Sequence, residues 1–394
     1  MGLALALAPF YDGFSDSGPS FRLHLGPLPS TWLEVGLLVA LLAGLVGGWG
    51  RLPWRNPYTI PALLLLAGAL IDSYFTPHRR EAVGLVKAYF VEPMLAGIVI
   101  AWLAGERRRV RILLAGLAAG ALIAAVANGT VVALAILHHQ DVATLPPVRF
   151  YRTANAVALY LVPLCAFALS IALYSDDRRE RRAAAAVLVV LVAAVVMSLS
   201  RGGLGALVAV AVVIALFHPR RWLVSIPLLL GALLAAVVPP IRRRVLVELD
   251  LSNPLNTITL REALWKSALN LLRAKPFTGG GLSGFRESVA PYADPAYHEN
   301  EIYPHNLILN FWTETTLLGL VAFLWALVQA ARTAVSGLSR EPWTRSLSIG
   351  LIGALVAIGV HGQVDVPYFK NDLALEFWAL LGIQLGAVRS LKTG

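Results

Sequence analysis

The side chains able to do chemistry in this sequence are few, and they sit at the ends of apolar runs. Arg201 lies in SLSRGG between two such runs, Arg261 lies near the start of ITLREALWKSALNLL, and His305 follows Pro304 in YPHNLILNFWTE at the mouth of another run. A guanidinium stays charged and offers oxyanions a planar fork of donors. Charge at mid-bilayer costs roughly 3 kcal/mol or more, so Arg201 belongs at the end of the two helices it joins. There it contacts an anionic ligand or snorkels to headgroups. Proline suits the first turn of a helix, which places His305 by the positive end of a macrodipole. That end disfavours imidazolium and attracts anions, and a neutral imidazole is the form a general base needs. The alternative is a surface histidine at an interface.

Arg261 and His305 belong to a polar stretch, 241–305, in an otherwise apolar chain. A chain that is nearly all membrane does not carry a loop of this size without a use for it. Thr259-Leu260-Arg261-Glu262 reads as a capping box, opening a helix over 258–272 with Leu260, Leu264, Ala268, Leu271 and Leu272 near helical spacing. Arg261 and Trp265 share a face of that helix, which would lie along the membrane surface as a binding element or a plain lid. FTGGGLSGF (277–285) matches no nucleotide motif and reads as a turn in preference to a phosphate cradle. Asp294, His298, Glu299, Glu301 and His305 are metal-ligand types without the spacing of a zinc helix, so no metal is expected. Lys87 and Glu92 share one apolar run and are placed to pair or to line a cavity. Arg152 and Asn155 open the run 153–174. His361, Asp365, Lys370 and Asp372 crowd HGQVDVPYFKND (361–372), which reads as a tight turn with a solvated charge set.

The elements that must position these groups are membrane helices. The 394 residues are 57% hydrophobic and 14% charged, whereas a soluble domain has about a quarter of its residues charged. Apolar runs of roughly 17–25 residues match the thickness of a bilayer. Candidate spans are 31–49, 57–75, 83–103, 110–137, 153–174, 183–199, 203–217, 222–239, 306–330, 346–361 and 372–389. The fold class is therefore all-α: a polytopic integral membrane protein, one membrane domain over 1–394, with about 11–12 transmembrane helices and one long extracytoplasmic loop containing short helices. Met1–Phe10 is too short to span and lacks the basic flank of a signal peptide. It reads as a partial helix or a membrane-surface segment. RLPWR, GERRRVR, DDRRERR, HPRRW and the Arg332–Arg345 linker all fall on one side if the spans alternate, and the positive-inside rule makes that side cytoplasmic. The loop 241–305 then faces outside. Topology explains much of the net charge of +10, so nucleic acid is not expected as a partner. The single cysteine, Cys165, can form no internal disulfide.

Three segments carry a resemblance. SLSRGGLGALVAV (198–210), TLREALWKSALNLLRAKPFTGGGLSGF (259–285) and HNLILNFWTETTLLGL (305–320) occur in the order and spacing seen in the O-antigen ligase and O-antigen polymerase superfamily. The matching core covers roughly residues 150–330. The resemblance implies a metal-independent glycosyltransferase of the bacterial cytoplasmic (inner) membrane, without cofactor. It implies an undecaprenyl-diphosphate-linked glycan as donor, a glycan or lipid acceptor, and action at the outer face. Arg201, Arg261 and His305 match the family's functional positions. Thr316 departs from a frequent family glycine, whereas Glu314 and Gly319 agree.

The residues fit those implications. Two arginines at an outer rim can hold a diphosphate leaving group and stabilise the charge that develops on it, and a neutral histidine can deprotonate an acceptor hydroxyl. Arg152, Lys87 and Trp265 are the candidate substrate contacts, with membrane lipids around the whole. A ligase and a polymerase share this donor chemistry and differ in acceptor. A transporter or flippase is the reading from another class, and it would show internal repeats and polar sites near the midplane.

Overall fold

The computed structural model describes residues 1–10, 22–25, 28–142, 146–222, 256–294 and 301–389, with isolated positions between 225 and 250. Most of the candidate span 222–239, and His298 and Glu299, lie outside the described residues.

A backbone in lipid must satisfy its own hydrogen bonds, and each of the other candidate spans is helical. In chain order the helices are α1 (Gly2–Ala6), α2 (Trp32–Gly48), α3 (Thr59–Phe75), α4 (Arg79–Leu85), α5 (Glu92–Leu103), α6 (Arg107–Leu137), α7 (Ala154–Tyr174), α8 (Arg178–Met197) and α9 (Arg201–Leu216). They continue with α10 (Thr257–Ala274), α11 (Phe285–Val289), α12 (Leu307–Glu314), α13 (Thr316–Gly337), α14 (Pro342–His361) and α15 (Asn371–Arg389). Five helical stretches among the described residues are long and apolar enough to cross a membrane: Arg79–Leu103, Arg107–Leu137, Ala154–Tyr174, Thr316–Gly337 and Pro342–His361. α2, α3 and α9 are shorter apolar helices. The chain is an all-α, multi-pass membrane protein. α7 is buried along most of its length, with Cys165 inside, and it packs between α14, α8 and α9.

Four local features refine or depart from the sequence reading. A short antiparallel hairpin, β1 (Arg22–Leu25) with β2 (Leu28–Thr31), precedes α2. The N-terminal segment is the partial helix of its two sequence readings: α1 packs on α6, with Leu5 fully buried. Gly116 and Gly120 of α6 allow this approach, since a Cβ at Gly116 would lie 2.2 Å from the Gly2 carbonyl oxygen. The run 83–103 contains a π-helical stretch, Val86–Val91, which carries Lys87. The span 306–330 is broken at Thr315 into α12 and α13, with Thr316 at φ 65°. A β-branched residue is a poor occupant of the left-handed region.

The basic linkers gather at one end of the bundle. Arg107 at the start of α6 bonds Asp176 (2.6 Å) and Glu180 (3.0 Å), Arg111 bonds Glu180 (2.6 Å) and Asp177 (3.2 Å), and the Arg107 guanidinium lies 4.6 Å from the Trp343 ring at the start of α14. The start of α9, the helices α10 and α11, the segment 301–306 and the C-terminus of α14 belong to the other end. A cysteine placed at exposed Arg286 in α11 is expected to react with a membrane-impermeant maleimide in intact spheroplasts. Buried Cys165 leaves little background. Reaction only after lysis would reverse this topology.

Candidate active site

Arg201 is the first residue of α9. Its turn is fixed by Ser200, whose hydroxyl accepts from the Gly203 amide (3.1 Å) and donates to Asn155 Oδ1 (2.8 Å) at the start of α7. α10 is capped by Asn256, whose Oδ1 accepts from the amides of Ile258 (2.8 Å) and Thr259 (3.3 Å). The expected capping box at Thr259 is therefore wrong, because Asn256 takes the orphan amides and the N-cap lies three residues earlier. This start makes Thr257 the first helical residue. Arg261 Nη1 donates to Thr257 Oγ1 at 2.9 Å, and Arg201 Nη2 donates to the same oxygen at 3.4 Å. Two guanidinia from helices far apart in sequence thus converge on one hydroxyl. Two planar guanidinia that meet at one point suit an oxyanion, which can accept from both.

His305 reaches the same cluster through a clamp between α12 and the turn after α14. The Leu307 amide donates to the Gly362 carbonyl (2.7 Å), and Asn306 Nδ2 donates to the Gln363 carbonyl (3.2 Å). Asn306, not Pro304, opens the helix: its Oδ1 accepts from the amides of Ile308 and Leu309, both at 3.1 Å. His305 stands before this cap at φ 47°, outside the first turn. The dipole argument for a neutral ring does not apply to it.

The neighbours of His305 decide its charge. Nε2 lies 3.2 Å from Glu301 Oε2, and Nδ1 lies 3.4 Å from Asp365 Oδ1, off the line of a good hydrogen bond. The Tyr303 ring stands edge-on at 4.6 Å. Burial alone would lower the His305 pKa, but the Asp365 and Glu301 carboxylates outweigh it and raise the value to about 9. Burial likewise disfavours the Asp365 carboxylate, yet the histidine beside it holds its pKa well below the ordinary range. At neutral pH the resting pair is imidazolium and carboxylate.

The reading of 361–372 as a solvated charge set is overturned. His361 and Asp365 are only 2% and 4% exposed. A Cβ at Gly202 would lie 2.7 Å from the His361 ring, so glycine after Arg201 lets α9 abut that ring. Arg261 also acts electrostatically on His361. The start of α9, the start of α10, His305 and the turn after α14 therefore form one cluster.

The remaining candidates divide. Trp265 is one turn beyond Arg261, and its Nε1 is buried with no hydrogen-bond partner among the described residues. Arg152 is exposed beside Asn155 at the mouth of α7. Lys87 pairs with Glu34 (3.2 Å) and Glu92 (3.8 Å), as one of its two sequence readings has it. The glycine loop is a structural turn: Gly280 donates to the Thr313 carbonyl (2.8 Å), and the amides of Gly281 and Ser283 face the protein's own carboxylates, Asp72 and Glu314. Gly281 has φ 88°, and a Cβ there would lie 2.6 Å from Thr76 Cα. Gly281→Ala is expected to cost about 1–2 kcal/mol from the backbone conformation alone and to loosen the loop from α3. Faster hydrogen exchange over 277–294, with the membrane helices unchanged, is the check.

Asp365 and Thr257 are the participants that sequence reasoning missed. Asp365 was visible only as one charge in a crowded short loop, and Thr257 had no distinguishing signal. Among the described residues no group of three or more His, Cys, Asp or Glu is assembled to hold a metal. A family model described as O-Antigen ligase (Wzy_C) matches residues 184–324, a segment that includes Arg201, Arg261 and His305 and stops short of Asp365. No curated protein matches the chain.

Proposed function

We propose, from the O-antigen ligase domain that places residues 184–324 in the O-antigen ligase/polymerase superfamily, that this protein transfers a glycan from undecaprenyl diphosphate to an acceptor hydroxyl. The reaction takes place at the outer face of the bacterial cytoplasmic membrane. The observation that carries the proposal is the convergence of Arg201 and Arg261 on Thr257 Oγ1, beside a histidine that pairs with a carboxylate.

In this reaction the bond between the anomeric carbon and the diphosphate oxygen breaks, and the acceptor oxygen forms a new bond to that carbon. Once the acceptor hydroxyl has replaced the Glu301 carboxylate at Nε2, its proton passes to Nε2 of the neutral His305, and undecaprenyl diphosphate leaves with the bonding pair. The two guanidinia hold the diphosphate in bidentate contacts and stabilise the charge it gains. Asp365 orients the imidazole from the Nδ1 side and stabilises the imidazolium that forms, as a carboxylate does for a catalytic histidine. Arg152 and Trp265 are the further donor contacts we infer. The neighbours of Lys87 are carboxylates, and no substrate contact is assigned to it. With two fixed cations doing the charge work, the reaction needs no divalent metal.

Deletion in the native host tests the assignment. A ligase is expected to leave long chains on undecaprenyl diphosphate, and a polymerase to leave single repeats. An unchanged lipid-linked pool and unchanged surface glycans would remove both.

A further inference from the structure

A second concavity opens at the same end of the bundle, between the end of α3 and the loop helices. Its volume is about 490 Å³, and its walls include Tyr74, Phe75, Arg79, Lys275, Glu287 and Tyr292. Phe75 meets the Tyr74 ring edge-on at 5.5 Å, and the Arg79 guanidinium lies 4.8 Å from the centre of that ring. Tyr74 and Phe75 remain 66% and 52% exposed. His78 Nε2 and Glu287 Oε1, 3.2 Å apart, tie the start of α4 to α11 and join the two walls.

This lining suits a carbohydrate. A pyranose has an apolar C–H face, which packs on a flat ring, and a rim of hydroxyls, which need fixed donors and acceptors. Phe75 and Tyr292 supply rings, Arg79 and Lys275 supply donors, and Glu287 supplies an acceptor. The volume lies within the range of about 300–1,000 Å³ typical of ligand clefts. Aromatic residues at a lipid interface would explain the rings alone. The Glu287 carboxylate, half-exposed beside His78, keeps acceptor sites for hydroxyls and opposes a phosphate headgroup.

The cavity is also mechanically joined to the transfer site. Trp312 Nε1 donates to the Pro276 carbonyl at 2.6 Å, and Gly280 donates to the Thr313 carbonyl. The segment bearing Lys275 is thus fastened to the C-terminal end of α12, and His305 adjoins its N-terminal end. α12, which links the two sites, has eight residues and is about 12 Å long, a length a short oligosaccharide covers.

We propose that this cavity is a glycan subsite, holding sugars of the chain being transferred or extended about one helix length from the point of transfer. The proposal rests on the glycosyltransferase reading. Its test uses the full-length protein in detergent and the oligosaccharide released by mild acid from the host's lipid-linked pool, with saturation-transfer NMR as the readout. Saturation of sugar ring protons is expected in wild type and in His305→Ala. The double variant Phe75→Ala/Tyr292→Ala is expected to bind at least tenfold more weakly, and the milder Phe75→Leu, which leaves the Tyr292 packing and the His78–Glu287 pair in place, severalfold more weakly with an unchanged thermal midpoint. No saturation in wild type, or equal saturation in these variants, would overturn the subsite. Displacement of the sugar by an equal concentration of short-chain phosphatidylglycerol would assign the cavity to a lipid headgroup and overturn it too. The glycosyltransferase reading fails by a different result, the unchanged lipid-linked pool after deletion.

Discussion

His305→Gln is expected to lose about 10²- to 10⁴-fold of turnover, while the protein still inserts and still binds the lipid-linked donor. Glutamine keeps a hydrogen bond and cannot accept the proton. The pH profile carries the sharper information. Asp365 and Glu301 raise the His305 pKa to about 9, so the base form is scarce at neutral pH, and the wild-type rate is expected to climb through about 9 instead of levelling near 6.5. Asp365→Asn keeps the shape and removes one charge, so the rise should move towards lower pH. The sign for stability is opposite. A group whose pKa is raised on folding contributes fully below its unfolded value of about 6.5 and loses that contribution as pH rises through about 9. Rate and stability should therefore diverge across the same interval. A rate that falls from pH 6 to pH 9 would make imidazolium the working form, with His305 as an electrostatic partner of the diphosphate.

Arg201→Lys and Arg261→Lys are each expected to lose about 10- to 100-fold of kcat/KM, corresponding to the roughly 1.5–3 kcal/mol of a hydrogen bond to a charged group. Lysine keeps the charge and loses the planar fork. Because both side chains meet Thr257 Oγ1, the double variant should fall short of the product of the single effects, as groups with a shared partner do. Two lysine variants with normal rates would remove bidentate recognition from the mechanism.

Helices were legible because the bilayer permits little else: apolar length alone located α2, α3, α6, α7 and α14. Helix starts were less legible. Asn256 and Asn306 each cap by reaching two and three residues ahead, and a nearby Thr-x-x-Glu or proline gave a competing signal. The break at Thr315 was hidden because TETTLLGL (313–320) has neither proline nor glycine at the break to mark it. The arginines and His305 could be singled out because charge at the end of an apolar run needs a reason. The Asp365 contact could not, since it depends on a clamp from Leu307 to Gly362 that no local pattern encodes. The charge of His305 followed that contact, so the expectation of a neutral ring failed along with it.

Under the proposed function, two arginines and a histidine move a glycan off a lipid diphosphate without a metal. The most direct measurement is release of undecaprenyl diphosphate by the purified full-length protein in proteoliposomes containing lipid-linked glycan, acceptor and excess EDTA. Release is expected in step with glycan product, abolished by His305→Ala and strongly reduced by Arg261→Lys. Release that vanishes in EDTA and returns with one divalent metal, or that proceeds unchanged in both variants, would contradict it.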